Sequence, residues 1–430
     1  MASTKPATVR TEEHDGPRRE QDRAKRAALV VAFPEPRALP FPVAGEVVGR
    51  DWFERNGVVD ARISGRHIAF HRPGGNLFIE DAGSRNGCWV NGARLGSGER
   101  VPISDGALIR VGRTLLVYRD DFVGGDAPSP PLGRLVGPFG LRRVVHAIET
   151  IAARQPTNVL IEGETGTGKE LIARAVAEAA GRATKYAPVN VAGVAAGVFE
   201  SQLFGYVAGA YSGSGKGSDG VFAAHNGGTV FLDEIGELRL DLQAKLLRVL
   251  DNREVLPVGA VRPTHVDVLV VAATNRSLEE MVEQGGFRRD LLARLAAARI
   301  ELPPLRERIE DLFSIAQAIV AARGESFARE QVEVEAAERL MLHEWRGGNV
   351  REVASTLERL ARIEPPPVLR LETVERVLGP LAGATSTSAS GVTLEQVQRA
   401  LAEAGSESAA ARRLGISRGK LRRMLEASRG

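Results

Sequence analysis

Two kinds of hydrophobic periodicity divide this chain. From about residue 41 to 119 the apolar positions form short alternating or clustered runs, "NLFIEDA", "CWVNGARL" and "ALIRVGRTLLVYR", separated by "PGGN", "SRNG" and "NGARLGSG". Alternation with a period of two, cut by Gly and Asn, predicts an all-β sandwich. From about 133 to 378 continuous apolar segments ("TNVLIE", "GGTVFLD", "VDVLVVAATN") alternate with stretches such as "KELIARAVAEAAG", whose apolar residues are spaced by three and four. This is the pattern of an α/β domain built on a parallel sheet. Beyond residue 391, "TLEQVQRALAEAG", "SESAAARRLG" and "SRGKLRRMLEASR" read as helices. Gly415 and Ser417 supply the C-cap and N-cap of the break between the last two.

The segments between these parts are of a different kind. "DDFVGGDAPSPPLG" near 120–132 and "GPLAGATSTSASG" at 379–391 are linkers by composition, and residues 1–40 mix charges and prolines as a disordered leader would. The expected organisation is therefore multidomain: sandwich at 41–119, α/β domain at 133–378 with an α-helical lid from about 307, and an all-α unit at 392–430. A length of 430 residues with 43% hydrophobic content exceeds one core. The formal charge of +3 leaves nucleic-acid contact to a local patch. A single cysteine, Cys88, excludes an intrachain disulfide framework, and no apolar run is long enough to span a bilayer, so a cytoplasmic location is expected.

The strongest chemical signal is Gly163-Glu164-Thr165-Gly166-Thr167-Gly168-Lys169-Glu170, placed between an apolar strand and a helix. Glycines let backbone N–H groups converge on phosphates, the helix points its positive end at them, and Lys169 adds a cation. Glu170 stands where the motif usually has Ser or Thr, so threonines or acidic groups nearby and water are expected to complete a magnesium shell. Asp233 and Glu234 end the next strand, Asp233 suited to magnesium and Glu234 to polarising water; Asn275 ends a third, where its amide can sense the γ-phosphate. ATP and Mg2+ are the cofactors these residues call for.

These elements, with "LQAKLLRVLDNREVLPVG" and "LPPLRERIEDL", resemble the AAA+ ATPase domain of bacterial enhancer-binding proteins, which activate sigma-54 RNA polymerase. The resemblance implies that Gly209-Ala210-Tyr211-Ser212-Gly213-Ser214 takes the place of the GAFTGA loop that contacts sigma-54. It implies that Asn190 restrains the catalytic Glu234, and that Arg288 and Arg294 reach a neighbouring subunit in a ring, expected to be a hexamer. Arg351 would sense the nucleotide, although "WRGGN" carries one residue more than the family phrase; Arg289 is left as a solvated position.

In the sandwich, Arg50, Ser64, Arg85 and Asn86 lie on expected loops or strand ends, with His67 between them. They resemble the forkhead-associated (FHA) domain, which reads phosphothreonine; a guanidinium fork and a hydroxyl suit a phosphate dianion. His67 would hold the loops together. The resemblance implies a phosphothreonine-bearing protein or a Ser/Thr kinase as partner. The last part resembles a factor-for-inversion-stimulation helix-turn-helix, whose second helix, with Ser417, Arg418, Lys420, Arg422 and Arg423, would meet double-stranded DNA at an upstream site. The whole reads as an ATP-dependent activator of the sigma-54 closed complex. Two alternatives remain: a remodeller of a different client, and a nucleotide-binding DNA regulator without sigma-54 activity.

Overall fold

A computed structural model describes residues 25–192, 196–210, 216–325, 331–363 and 369–380. The helix-turn-helix expected at 392–430 and Tyr211, Ser212, Gly213 and Ser214 lie outside the described residues.

The first part is a two-sheet antiparallel sandwich. Its strands are β1 (Arg26–Phe33), β2 (Arg37–Pro40), β3 (Val47–Val48), β4 (Ile68–His71), β5 (Phe78–Asp81), β6 (Cys88–Val90), β7 (Ala93–Arg94), β8 (Arg100–Pro102), β9 (Leu108–Val111) and β10 (Thr114–Phe122). One sheet runs β2-β1-β10-β9-β6-β7 and the other β3-β4-β5-β8. Side chains from both, among them Leu29, Val31, Ile68, Phe70, Ile79 and Ile109, make one core; each such burial contributes roughly 1.5–3 kcal/mol.

Two boundaries differ from the sequence expectation. The leader does not extend to residue 40, because Arg26–Phe33 pairs along its length with β10 and is buried through its last six positions. The expected linker at 120–132 begins inside β10, which continues to Phe122. Its remainder is fastened by one side chain: Arg142 donates to the carbonyls of Val123 (2.9 Å), Gly125 (2.8 Å), Ala127 and Pro138 (3.2 Å), and to Ser129 Oγ (3.0 Å).

The α/β domain holds a parallel sheet of β11 (Asn158–Glu162), β12 (Tyr186–Asn190), β13 (Thr229–Asp233), β16 (Leu269–Thr274) and β17 (Arg299–Glu301), in the order β12-β13-β16-β11-β17. A hairpin of β14 (Glu254–Val255) and β15 (Thr264–His265) stands apart from it. Alternation distributes each strand between two cores. Leu160, Val230, Leu232 and Val270 pack on one face with Leu203 and Leu246; Val159, Ile161, Phe231 and Val271 pack on the other with Ile148 and Ile172. Both faces are covered, which is why these strands read as unbroken apolar runs. A helical lid follows, with helices Leu312–Ala321, Val334–Met341, Asn349–Ile363 and Leu371–Leu378.

The sandwich rests on this lid. Phe33 and Phe313 meet with ring centroids 5.0 Å apart. Arg110 lies 3.6 Å over the Trp89 ring, donates to Glu335 (2.9 Å) and is ion-paired with Glu338 (2.9 Å). Arg119 pairs with Glu310 (2.5 Å) and Asp105 (2.8 Å) and donates to the Glu307 carbonyl (2.7 Å).

Candidate nucleotide site and phosphopeptide face

After β11 the chain turns through Gly163–Gly168 into the helix Lys169–Ala179, as the motif requires. Gly166 has φ +77°, and a Cβ there would lie 2.0 Å from the Gly348 carbonyl oxygen, so both backbone and space demand glycine. Lys169 Nζ donates to the carbonyls of Gly163 (2.9 Å) and Glu164 (3.1 Å). Burial holds its ammonium below the ordinary range, while Asp233 and Glu234 pull it back up. Asn275 Nδ2 donates to Thr165 Oγ1 (2.9 Å), joining the end of β16 to the cradle.

Glu234 has φ 58° and ψ 45°, a left-handed conformation that costs about 1–2 kcal/mol outside glycine. Two hydrogen bonds oppose that cost: its N–H donates to Asp233 Oδ1 (3.0 Å) and its carbonyl accepts from Glu237 N–H (2.9 Å). A strained acidic residue at the C-terminal edge of a parallel sheet is a candidate functional position. The cradle, Lys169, Asp233, Glu234 and Arg351 all line one cleft of about 840 Å³. A slightly larger one of about 910 Å³ lies behind the cradle, but its walls include Glu162, Glu164, Glu301 and Glu310. Polyphosphate suits the first cleft, where cationic Lys169 and Arg351 and a helix N-terminus converge.

Magnesium fits this set. It takes oxygen donors and is held by one or two carboxylates plus substrate phosphates rather than by an all-protein cage. The Asp233 and Glu234 carboxylates supply such donors, and no cluster of three or more metal-binding side chains occurs among the described residues. Glu170 lines the cleft edge and pairs with Arg174 at 3.3 Å.

The lid grips the cradle from behind through residues that sequence reading did not single out. Arg306 holds Glu164 in a two-pronged pair (2.8 and 2.6 Å), and Asn349 Nδ2 donates to Glu164 (3.1 Å) and to the Thr165 carbonyl (3.0 Å). Val350 N–H donates to the Gly166 carbonyl (3.0 Å), and buried Arg308 donates to that of Thr167 (3.0 Å). The Arg306 guanidinium keeps the Glu164 carboxyl below its ordinary range. An anionic side chain inside a phosphate cradle is thus turned away and neutralised.

Asn190 lies level with Asp233 across the β12–β13 ladder and lines the same cleft as Glu234, and its Oδ1 accepts from Ala192 N–H (2.8 Å). Arg288 pairs with Asp290 (2.7 Å) and Arg294 with Asp251, both half-exposed and away from this chain's own cleft. Gly209 has φ +80° and Ala210 N–H donates to Val207 (3.1 Å). Below them Tyr206 and Ser218 exchange both backbone hydrogen bonds (2.8 and 2.9 Å), a braced base for the loop.

On the sandwich, the structure brings the four expected residues to one loop cluster. Arg50 donates through Nε to the Ile63 carbonyl (3.0 Å) and through Nη2 to that of Ala61 (3.3 Å), and Asn86 Nδ2 donates to that of Arg62 (2.6 Å). Ser64 Oγ accepts from Arg85 N–H (3.0 Å), leaving its own proton for a ligand. Gly49 permits this: a Cβ there would lie 1.9 Å from the Gly65 carbonyl oxygen. His67 is fully buried, its Nδ1 accepting from Ser64 N–H (2.9 Å) and its Nε2 3.0 Å from the Gly87 carbonyl. Only the neutral tautomer with a proton on Nε2 satisfies both, and burial lowers the pKa accordingly. Cys88 is buried, and its thiol is pushed far up by desolvation, which makes it a packing residue.

Comparison with known proteins adds the lineage. Residues 139–301 match the sigma-54 interaction domain and residues 47–112 the FHA domain. A putative uric acid sigma-54-dependent transcriptional regulator of Escherichia coli strain K12, UacR, is 40% identical over 249 residues, covering 57% of this chain and 42% of its own. An uncharacterised protein in the HyuA 5' region of Pseudomonas sp. strain NS671 is 40% identical over 232 residues, covering 53% of this chain and 78% of its own. The crystal structure of NtrX from Brucella abortus is 26% identical with a TM-score of 0.49, covering 68% of this chain and 69% of that one. The chain spans about half the length of the first curated relatives it matches. An FHA domain joined to a sigma-54 interaction domain of the AAA+ type places this chain in the family of sigma-54-dependent transcriptional regulators.

Proposed function

We propose that this protein is an ATP-driven activator that remodels the closed complex of sigma-54 RNA polymerase, under phosphothreonine control through its FHA domain. The observation that carries the reading is the convergence of Lys169, Asp233, Glu234 and Arg351 on one cleft within a sigma-54 interaction domain, with Asn275 hydrogen-bonded to Thr165 of its cradle. Backbone N–H groups of the cradle and Lys169 hold the phosphates; Glu234 takes a proton from the attacking water; Asn275, tied to Thr165, orients the γ-phosphate end. Asp233 would hold magnesium, which would supply charge neutralisation at the phosphates.

Arg288 and Arg294, half-exposed and remote from their own chain's cleft, suit insertion beside the nucleotide of an adjacent subunit, so turnover requires a ring, taken as a hexamer. An arginine supplied in this way is worth roughly 10³–10⁵ in rate in other nucleotide hydrolases. Gly209–Ser214 passes the stroke to sigma-54. The basic helix with Ser417, Arg418, Lys420, Arg422 and Arg423 anchors the assembly on upstream double-stranded DNA, and Arg50, Ser64, Arg85 and Asn86 take the phosphothreonine of a kinase or its substrate. The site of action is the cytoplasm; no helix among the described residues is long and apolar enough to cross a membrane.

The test pairs ATP turnover with in vitro transcription by sigma-54 holoenzyme. Glu234→Gln should bind ATP yet neither hydrolyse it nor open the promoter. Normal hydrolysis by that variant would remove Glu234 as the base. Hydrolysis by the unaltered protein without promoter opening would point to another client.

A further inference from the structure

One short segment is held by the sandwich and by the nucleotide cradle at once. Leu305–Glu307 and Ile309–Asp311 are successive 3-10 turns at the foot of the lid. From the sandwich, Arg119 donates to the Glu307 carbonyl (2.7 Å) and to the Glu310 carboxylate (3.2 and 2.5 Å). The residues between those two reach the cradle: Arg306 holds the Glu164 carboxylate and Arg308 donates to the Thr167 carbonyl (3.0 Å). Asp311 accepts from the N–H groups of Phe139 (3.0 Å) and Gly140 (3.1 Å), just before the helix Arg142–Ala153. Two buried carboxylates, Glu310 and Asp311, thus share two guanidinium groups, those of Arg119 and Arg308. Arg119 satisfies Glu310 and leaves buried Arg308 to the Thr167 carbonyl. Without Arg119, both carboxylates would compete for Arg308, and in a site closed to water a carboxylate draws a guanidinium more strongly than a carbonyl does. The Thr167 carbonyl shares one planar peptide with the Gly168 N–H, so holding the first aims the second, a donor of the phosphate cradle.

We propose that Arg119, a residue of the sandwich, is a positioning residue of the ATP site: by neutralising Glu310 it keeps Arg308 on the Thr167 carbonyl and the cradle in its phosphate-binding shape. The proposal rests on the ATPase reading of the cleft and extends it by making the sandwich a contributor to nucleotide affinity, although none of its residues lines that cleft.

The experiment measures ATP turnover, and binding of a fluorescent ATP analogue, by the full chain, with circular dichroism checking each fold. Arg119→Met should weaken analogue binding and raise the KM for ATP about tenfold, the order of one lost charge-assisted hydrogen bond, while kcat stays close to that of the parent. Arg119→Met with Glu310→Gln should return both quantities to the parent's, because nothing then draws Arg308 away. Arg110→Met is the control for loosened docking: it leaves Glu338 unpaired between the same two domains but lies off the turn, and should leave KM unmoved. If Arg119→Met does not fold, Arg119→Gln, which keeps a neutral donor for the Glu307 carbonyl, should show a rise in KM of the same direction. An unchanged KM in the folded Arg119 variant, a double variant as weak as the single, or an equal rise in Arg110→Met would overturn the positioning role and leave the ATPase reading standing. A parent chain that neither binds nor hydrolyses ATP would remove the ATPase reading and the positioning role with it.

Discussion

Replacing Arg119 by methionine should cost this protein about 3–5 kcal/mol. Three contacts are lost, and they do not weigh equally. Asp105 is 43% exposed, so water replaces most of that pair, which is worth at most about 1 kcal/mol. The Glu307 carbonyl loses a charged donor at 2.7 Å. Glu310 decides the outcome: its side chain is 4% exposed, and without Arg119 a buried carboxylate is left between nearby Arg308 and the like charge of buried Asp311. Removing one member of such a pair costs the figure above, whereas removing both charges together is near neutral. Arg119→Met with Glu310→Gln should therefore recover most of the loss. Urea unfolding followed by fluorescence is suited to the measurement, because Trp52 and Trp89 report the sandwich and Trp345 the lid. A loss below about 1 kcal/mol in the single variant, the range of an exposed pair, or a double variant as damaged as the single, would refute the view that this pair joins the two domains.

Gly166→Ala should destroy nucleotide binding while leaving the sandwich folded, since the new methyl meets the Gly348 carbonyl oxygen at 2.0 Å; binding of a fluorescent ATP analogue is the readout. Arg306→Leu should weaken ATP binding, because it frees the Glu164 carboxylate to repel phosphate; Glu164→Gln in the same chain should restore affinity, and failure to restore it would show another cause. Burial lowers the His67 pKa below 6.5, so the unfolded chain takes up that proton first on acidification. The stability contributed by neutral His67 is complete above pH 6.5 and is lost as pH falls from there through the folded-state value. Melting temperature against pH should show this slope in the parent and a flatter one in His67→Gln.

The cradle, Asp233-Glu234 and Asn275 could be read from sequence because each terminates an apolar strand, and a parallel sheet brings such ends to one edge. The loop cluster of Arg50, Ser64 and Asn86 could be read because glycine and asparagine mark its turns. Three features could not. The run "RAALVVAF" was masked by the charged residues before it, although its apolar continuity was itself a strand signal. Arg306 and Arg308 act on residues 142 and 141 positions away, a pairing that no local pattern encodes. Arg110 and Arg119, on strands, resemble solvated outward positions until a lid bearing Glu310, Glu335 and Glu338 is set against them. Asn190 was legible for the same reason as Asp233, since both end adjacent parallel strands and line one cleft.

Arg142 has a consequence for avidity. A connection whose carbonyls converge on one guanidinium has no slack, so the sandwich cannot roam as a module on a string. In a ring of these subunits the phosphate-reading faces would stand at a fixed pitch around the rim, like teeth on a gear. A partner phosphorylated at several sites would then gain effective concentration only where its own spacing matched that pitch, and flexible and rigid partners carrying the same phosphorylated motif would be told apart by geometry alone.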